Sequence, residues 1–182
     1  MYFNEKGKTN TRETINLALQ RAKQERIRNI VIASCTGYTC DFIDDIKDLN
    51  IVCVTHSYGF IGRGKIEMSD EKRADLIRKG FKVLTTTHVL SGAERGISSR
   101  YSGLYPIEIM ANSLRMLGEG LKVSVEVSIM ALDSGLIPFG EKIIAIGGSA
   151  RGADTAVIIT PSHAASILDT KIHEIICKPK NF

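Results

Sequence analysis

Residues 30–55 read IVIASCTGYTCDFIDDIKDLNIVCVT. The stretch opens on a short apolar run (30–33), turns through Ser34, Cys35, Thr36, Gly37, Tyr38 and Thr39, and closes on a second apolar run (51–55). Short continuous apolar runs are the pattern of strands buried on both faces, as in parallel sheets. Between them Phe42, Ile43, Ile46 and Leu49 form an apolar stripe with Asp41, Asp44, Asp45 and Lys47 outward, which predicts a connecting helix. A strand, a crossover and a second strand make the repeating unit of an α/β fold.

The same pattern continues on both sides of this stretch. Residues 143–146 (IIAI) read as a third buried strand, with 81–84 (FKVL), 156–159 (AVII) and 174–177 (EIIC) as further candidates. A helix over 11–26 is predicted from the stripe Ile15, Ala18, Leu19 and Ala22, with Asn10 as its cap and Glu13 at the capping-box position. Ser69 is placed to cap another helix, with Asp70 and Glu71 in its first turn and Gly80 at its end. Pro106 suits the first turn of a helix bearing Ile107, Met110, Leu114 and Leu117 before Gly118. Residues 122–128 (KVSVEVS) fit two patterns: period two argues for a strand, while Val123, Val127, Met130 and Ala131 argue for a helix. Residues 85–105 are too long for an ordinary strand-to-helix loop of ~2–6 residues, and such loops are usually functional or mobile. Residues 56–67, with Gly59, Gly62 and Gly64, have the same character.

The chain has 182 residues, 43% apolar and 24% charged, which suits one three-layer α/β/α domain spanning 1–182 and excludes global disorder. Its net charge of +4 is too small and dispersed to announce a nucleic-acid partner but is compatible with a small anionic ligand. Aromatics at 6% and the absence of Trp argue against an aromatic platform for bases. No apolar run approaches the ~20 residues of a membrane span, so no membrane partner is expected. Cys35, Cys40, Cys53 and Cys177 lack CxxC spacing, and the chain shows no apolar leader, so reduced thiols in a cytoplasmic protein are expected. Four Cys and four His without paired spacing give no sequence signal for a metal.

In an open parallel sheet ligands bind beyond the carboxyl ends of the strands. There the 34–39 turn offers three hydroxyls, a glycine and a predicted helix start, a set that suits an oxyanion such as phosphate. Simple capping by Thr36 or Thr39 with a turn at Gly37 is the competing reading. The second polar turn, Gly147-Gly148-Ser149-Ala150-Arg151-Gly152-Ala153-Asp154-Thr155, allows close backbone approach. Ser149 and Arg151 are suited to an anion, and Asp154 to a ribityl or sugar hydroxyl. A glycine-rich strand connection explains the same residues. His56 and His88 follow strands and suit acid, base or ligand roles, or hydrogen bonding at strand ends. Cys35 is expected to be inert, Glu94 and Arg95 are a candidate ion pair on the long loop, and Tyr38, Tyr58 and Tyr101 are placed to stack on a flat ring.

The hydroxyl-rich turn between a strand and a helix, followed by a strand ending in Val-Thr, resembles the C-terminal α/β domain of pyruvate kinase. In that domain the corresponding turn holds a phosphate of the allosteric sugar bisphosphate. The whole chain is similar to a stand-alone archaeal and bacterial family built on it. The motifs are G-x-E-R-x-I at 92–97, L-R-M at 114–116, K-V-x-V-E at 122–126, G-G-x-A-x-G-A-D-T-A at 147–156 and E-I-I-x-K-P at 174–179. The resemblance implies a three-layer sandwich with a mostly parallel mixed sheet of about five strands, and a helix at 122–135. It also implies flavin mononucleotide (FMN): phosphate on residues 34–39, ribityl oxygens on polar loop groups including Thr55 and the 147–155 turn, and the ring among His56, Tyr58 and His88. The barrel that carries pyruvate kinase catalysis has no counterpart in these residues, so that activity is not expected. Two further readings are a flavin-independent enzyme acting on a small phosphorylated metabolite through His56 or His88, and an assembly module that self-associates.

Overall fold

The structure, a computed structural model, describes residues 1–44 and 46–182. Among these, seven strands form one sheet: β1 (Tyr2–Phe3), β2 (Asn29–Ala33), β3 (Asn50–Val54), β4 (Lys82–Leu84), β5 (Ile143–Gly147), β6 (Thr155–Thr160) and β7 (Lys171–Pro179). Their spatial order is β1-β7-β6-β5-β2-β3-β4. Pairing is parallel for β1 with β7, β5 with β2, β2 with β3 and β3 with β4, and antiparallel for β6 with both its neighbours. Every strand read from the sequence is present. The sheet is wider than the expected five because all six apolar runs form strands and β1 adds an edge pairing of Tyr2 with Lys178 and Phe3 with Pro179. Two residues are too short for any periodicity to reveal.

The helices are α1 (Thr11–Glu25), α2 (Asp70–Arg78), α3 (Gly92–Tyr101), α4 (Pro106–Arg115) and α5 (Glu119–Asp133). Strand alternation divides the core in two. Ile30, Ile32, Ile51, Cys53, Ile144 and Ile146 pack with Ile15, Ala18 and Ala22 of α1 and Leu76 of α2. Val31, Val52, Val54, Ile143 and Ala145 face the other way, onto Leu121, Val125, Ile129 and Leu132 of α5. Helices thus cover both faces of the sheet, which is why residues 30–33, 51–54 and 143–146 of its central strands are apolar throughout. None of the helices is long and apolar enough to cross a membrane among the described residues.

Residues 122–128 lie in α5, where Val alternates with polar residues and nearly every side chain is buried. The helix tolerates this because its polar groups are satisfied. Ser124 Oγ donates to Gly120 O and Ser128 Oγ to Val125 O, each at 2.8 Å, and Lys122 pairs with Glu126 one turn on at 2.5 Å.

Three local expectations are corrected. The connecting helix predicted from the 42–49 stripe is not formed among the described residues: a 3-10 turn spans Tyr38–Phe42, Ile43 is extended and Asp48 is left-handed at φ 62°. Phe42, Ile43, Ile46 and Leu49 still reach the core, so the stripe reports burial rather than helix; Asp45 lies outside the described residues. Asn10 does not cap α1: its amide donates to Glu5 O at 2.8 Å, and Thr11 Oγ1 donates to Lys8 O at 2.7 Å. The 85–105 connection contains α3, which buries none of its residues and so leaves no apolar stripe in the sequence. Elsewhere Ser69 Oγ accepts from Lys72 N at 3.2 Å and Pro106 opens α4, both as expected.

Gly120 shows how tightly α5 docks: a Cβ there would lie 2.1 Å from Thr155 Oγ1 and 2.8 Å from Asp154 Oδ1. In α3, Gly96 has nothing within 4 Å. Gly96→Ala is therefore expected to raise unfolding free energy by ~0.5–1 kcal/mol, and Gly120→Ala to lower it by ~1–3 kcal/mol. Urea denaturation of the two variants checks the opposite signs.

Candidate functional site

β5, β2, β3 and β4 run parallel, so the segments leaving them emerge on one edge. The chain passes from β2 outward to β3 and β4, then returns to β5 on the other side of β2. This reversal makes the space between the β2 and β5 exits the crevice of the sheet. The ladder continues one residue past the strands, with Ser34 N donating to Val54 O and Thr55 N to Leu84 O, each at 2.9 Å.

In the 34–39 turn Gly37 takes φ 84°, and a Cβ would meet Lys72 Cε at 2.6 Å. Ser34 Oγ accepts from Thr39 N at 3.1 Å, so Ser34 rather than either threonine organises the turn. Ser34 and Thr39 are buried while Thr36 is exposed. Because a 3-10 turn follows instead of an α-helix, the expected helix dipole is not supplied. Cations gather there instead. Lys8 Nζ lies 4.2 Å over the Tyr38 ring, Arg12 stands 5.0 Å over Phe42, and Lys72 pairs with Asp41.

The loop after β5 is shaped by its own packing. Asp154 is fully buried, and its Oδ2 accepts from Gly7 N at 2.8 Å and Ser149 N at 3.1 Å. Thr155 Oγ1 donates to Oδ1 at 2.8 Å, so the carboxylate expected to take a ligand hydroxyl is held by protein donors. Cβ atoms at Gly147, Gly148 and Gly152 would fall 2.3 Å or less from Gly120 O, Gly152 O and Thr11 Oγ1. These glycines therefore allow close chain-to-chain approach. Arg151 is exposed, whereas Ser149 Oγ is buried with no partner among the described residues. Lys8 links the two turns, with its Cα against Gly152 and its ammonium over Tyr38.

Beyond β3 and β4 lies a second polar group. His56 Nδ1 sits 2.5 Å from Glu67 Oε2, and Phe60 stacks on the imidazole with centroids 3.9 Å apart. His88 is 5.4 Å from His56 between centroids, and its Nε2 accepts from Ser57 N at 3.3 Å. Burial holds the His88 pKa below the ordinary histidine value, against the opposing charge of Glu126. Thr55 Oγ1 donates to His56 O at 2.8 Å and lies 2.7 Å from Thr85 Oγ1, which takes a 2.5 Å bond from Arg73. The Cys35 thiol is pushed up to about 12, first by burial and then by the Glu67 charge, so it is protonated at neutral pH. Tyr58 is exposed and donates to Gly64 O at 3.0 Å within its own loop; Tyr101 is exposed on α3.

Glu94 and Arg95 are not a closing pair: Glu94 Oε2 accepts from Ile107 N at 3.0 Å and ties α3 to the start of α4. Sequence reasoning passed over Phe60, Glu67 and the buried pair Lys122–Glu126, whose Glu126 Oε1 accepts from Leu90 N at 2.8 Å. A Lys and a Glu one turn apart within residues 122–128 were the available signal for that pair. Two clefts of about 470 Å³ flank the 86–104 segment, one reaching His88 and the other Arg95, and neither is lined by the 34–39 turn.

The family model described as pyruvate kinase, alpha/beta domain, matches residues 12–159. The chain belongs to that family. Among solved structures it is similar to a pyruvate kinase from Cryptosporidium parvum, at 16% identity and a TM-score of 0.41 over 86% of this chain. It spans about a quarter of that protein, 24% of its chain.

Replacing Asp154 orphans three donors at once. Asp154→Ala is expected to destabilise the fold by ~3–5 kcal/mol, and Asp154→Asn, which keeps one acceptor oxygen, by clearly less. Chemical denaturation of both variants tests this ordering.

Proposed function

We propose that this chain binds a small phosphorylated ligand between the 34–39 turn and the 147–155 loop, with FMN as the leading candidate. The observation that carries the reading is Ser149 Oγ, a buried hydroxyl with no partner among the described residues, in the loop that leaves β5 next to the strand preceding the 34–39 turn. A buried hydroxyl normally has a partner, and a phosphate oxygen would supply one. Exposed Thr36 offers a second donor, and Lys8 supplies positive charge between the turns. For the ring of a flavin the support is different in kind: Tyr58 and Phe60 are exposed on the loop after β3, and Phe60 stacks on His56. Bound FMN would supply electron transfer, while the protein would orient it. On this reading Asp154 acts by holding the loop, because it is fully buried and already accepts from Gly7 N, Ser149 N and Thr155 Oγ1.

The 2.5 Å contact of His56 with Glu67 favours a second reading, an acid–base enzyme acting on a phosphorylated metabolite without a flavin. Loss of turnover with retained binding in His56→Ala would support it.

Small molecules released on denaturation are expected to include FMN. The stripped protein is expected to bind FMN more than tenfold tighter than riboflavin. Thr36→Val with Ser149→Ala is expected to narrow that gap by about ten- to a hundredfold, the worth of ~1.5–3 kcal/mol in charge-assisted hydrogen bonds. Equal affinity for the two flavins, or binding of neither, would remove the phosphate-anchored flavin site.

A further inference from the structure

Sharing only Cys35 with the 34–39 turn, one cluster unites three kinds of donor atom. Cys35 leaves β2, His56 follows β3, and Glu67 closes the glycine-bearing loop beyond it; one ligand atom from each lies within 4.8 Å of the other two. Among the described residues no other set of three His, Cys, Asp or Glu side chains gathers so closely. We propose that Cys35, His56 and Glu67 bind one divalent cation of the zinc class, through sulfur, an imidazole nitrogen and a carboxylate oxygen.

The donor set selects the metal class. A thiolate with an imidazole and a carboxylate suits zinc or a similar late first-row ion, and does not suit magnesium or calcium, which take oxygen ligands. Bond lengths of ~2.0–2.3 Å in a tetrahedral shell put ligand atoms roughly 3.3–3.8 Å apart, inside the span of this cluster. The 2.5 Å approach of His56 Nδ1 to Glu67 Oε2 opens by roughly 1 Å when a cation replaces the proton between them. All three residues are partly exposed, which leaves a route for the ion to enter. Three protein ligands leave a fourth position open, the arrangement of a reactive rather than a structural site.

The surroundings fit the role. Ser34 N bonded to Val54 O fixes Cys35 beside the β3 exit, and Phe60 stacked at an interplanar angle of 28° sets the plane of the imidazole. On ligation the sulfur–hydrogen bond is exchanged for a sulfur–metal bond and the proton leaves to solvent. Cys40, Cys53 and Cys177 are buried and belong to no such cluster. The ligands come from separate loops, so no paired spacing in the sequence announces them.

The test is titration of the reduced, chelator-treated full chain with cobalt(II) under anaerobic conditions, with no phosphorylated ligand added, so its result is independent of the FMN experiment. One equivalent is expected to bind with a thiolate-to-cobalt charge-transfer band in the near ultraviolet. Cys35→Ser is expected to abolish that band and Cys177→Ser to leave it intact. His56→Gln and Glu67→Gln, which keep the thiol, are expected to weaken cobalt binding by at least about tenfold, with circular dichroism verifying that each variant is folded. The proposal is overturned by a wild-type protein with no such band, by a band that survives Cys35→Ser, or by unchanged affinity in folded Glu67→Gln.

Discussion

The buried carboxylate of Asp154 is the interaction on which the working edge of this protein depends. Its two oxygens accept from Gly7 N, Ser149 N and Thr155 Oγ1. One side chain thereby joins the chain ahead of α1, the loop after β5 and the start of β6. Hydrogen bonds to a charged group contribute ~1.5–3 kcal/mol each, and a buried carboxylate without them would be strongly unfavourable. Satisfying it requires the three segments to meet, and their meeting leaves no room for side chains. Gly120, Gly147, Gly148 and Gly152 follow from that crowding, since a Cβ at each would collide with backbone or with Thr155 or Thr11.

The edge so fixed carries two polar groups of different character. On the β5 side of β2, Lys8 lies over Tyr38 of the 34–39 turn, and the loop after β5 carries Ser149 Oγ, buried with no partner among the described residues. On the β3 side, His56, Glu67, His88 and Phe60 form a contiguous set of rings and a carboxylate. Cys35 belongs to both, being part of the turn and within reach of His56 and Glu67. The parallel register of β5, β2 and β3 sets this proximity. Residues distant in sequence become neighbours because adjacent parallel strands end together.

α5 solves a related problem on the opposite face. It is buried nearly all round although it carries Lys122, Ser124, Glu126 and Ser128. Two hydroxyls bond back to their own helix and the two charges neutralise each other, with Leu90 N completing Glu126. A buried ion pair is weak as a source of stability but costly to break, so it fixes the position of the 86–91 segment against the helix.

What the sequence determined by itself was the layered α/β plan. Apolar runs in β2, β3 and β5 and the stripe of α1 are local patterns, and burying them on both faces of a sheet is the physical consequence. The turns after β2 and β5 were legible as candidate site segments because glycines and hydroxyls after a strand are local as well. Tertiary structure decided the rest. Period two in residues 122–128 could not reveal a helix whose hydroxyls bond to its own backbone and whose charges pair with each other, and the stripe Phe42, Ile43, Ile46 and Leu49 reported burial without fixing a helix. The donors that hold Asp154 could not be read from the sequence either, because Gly7 is far away along the chain. The gathering of Cys35, His56 and Glu67 has no signature along the chain, because it exists only once parallel strands bring separate loops to one edge.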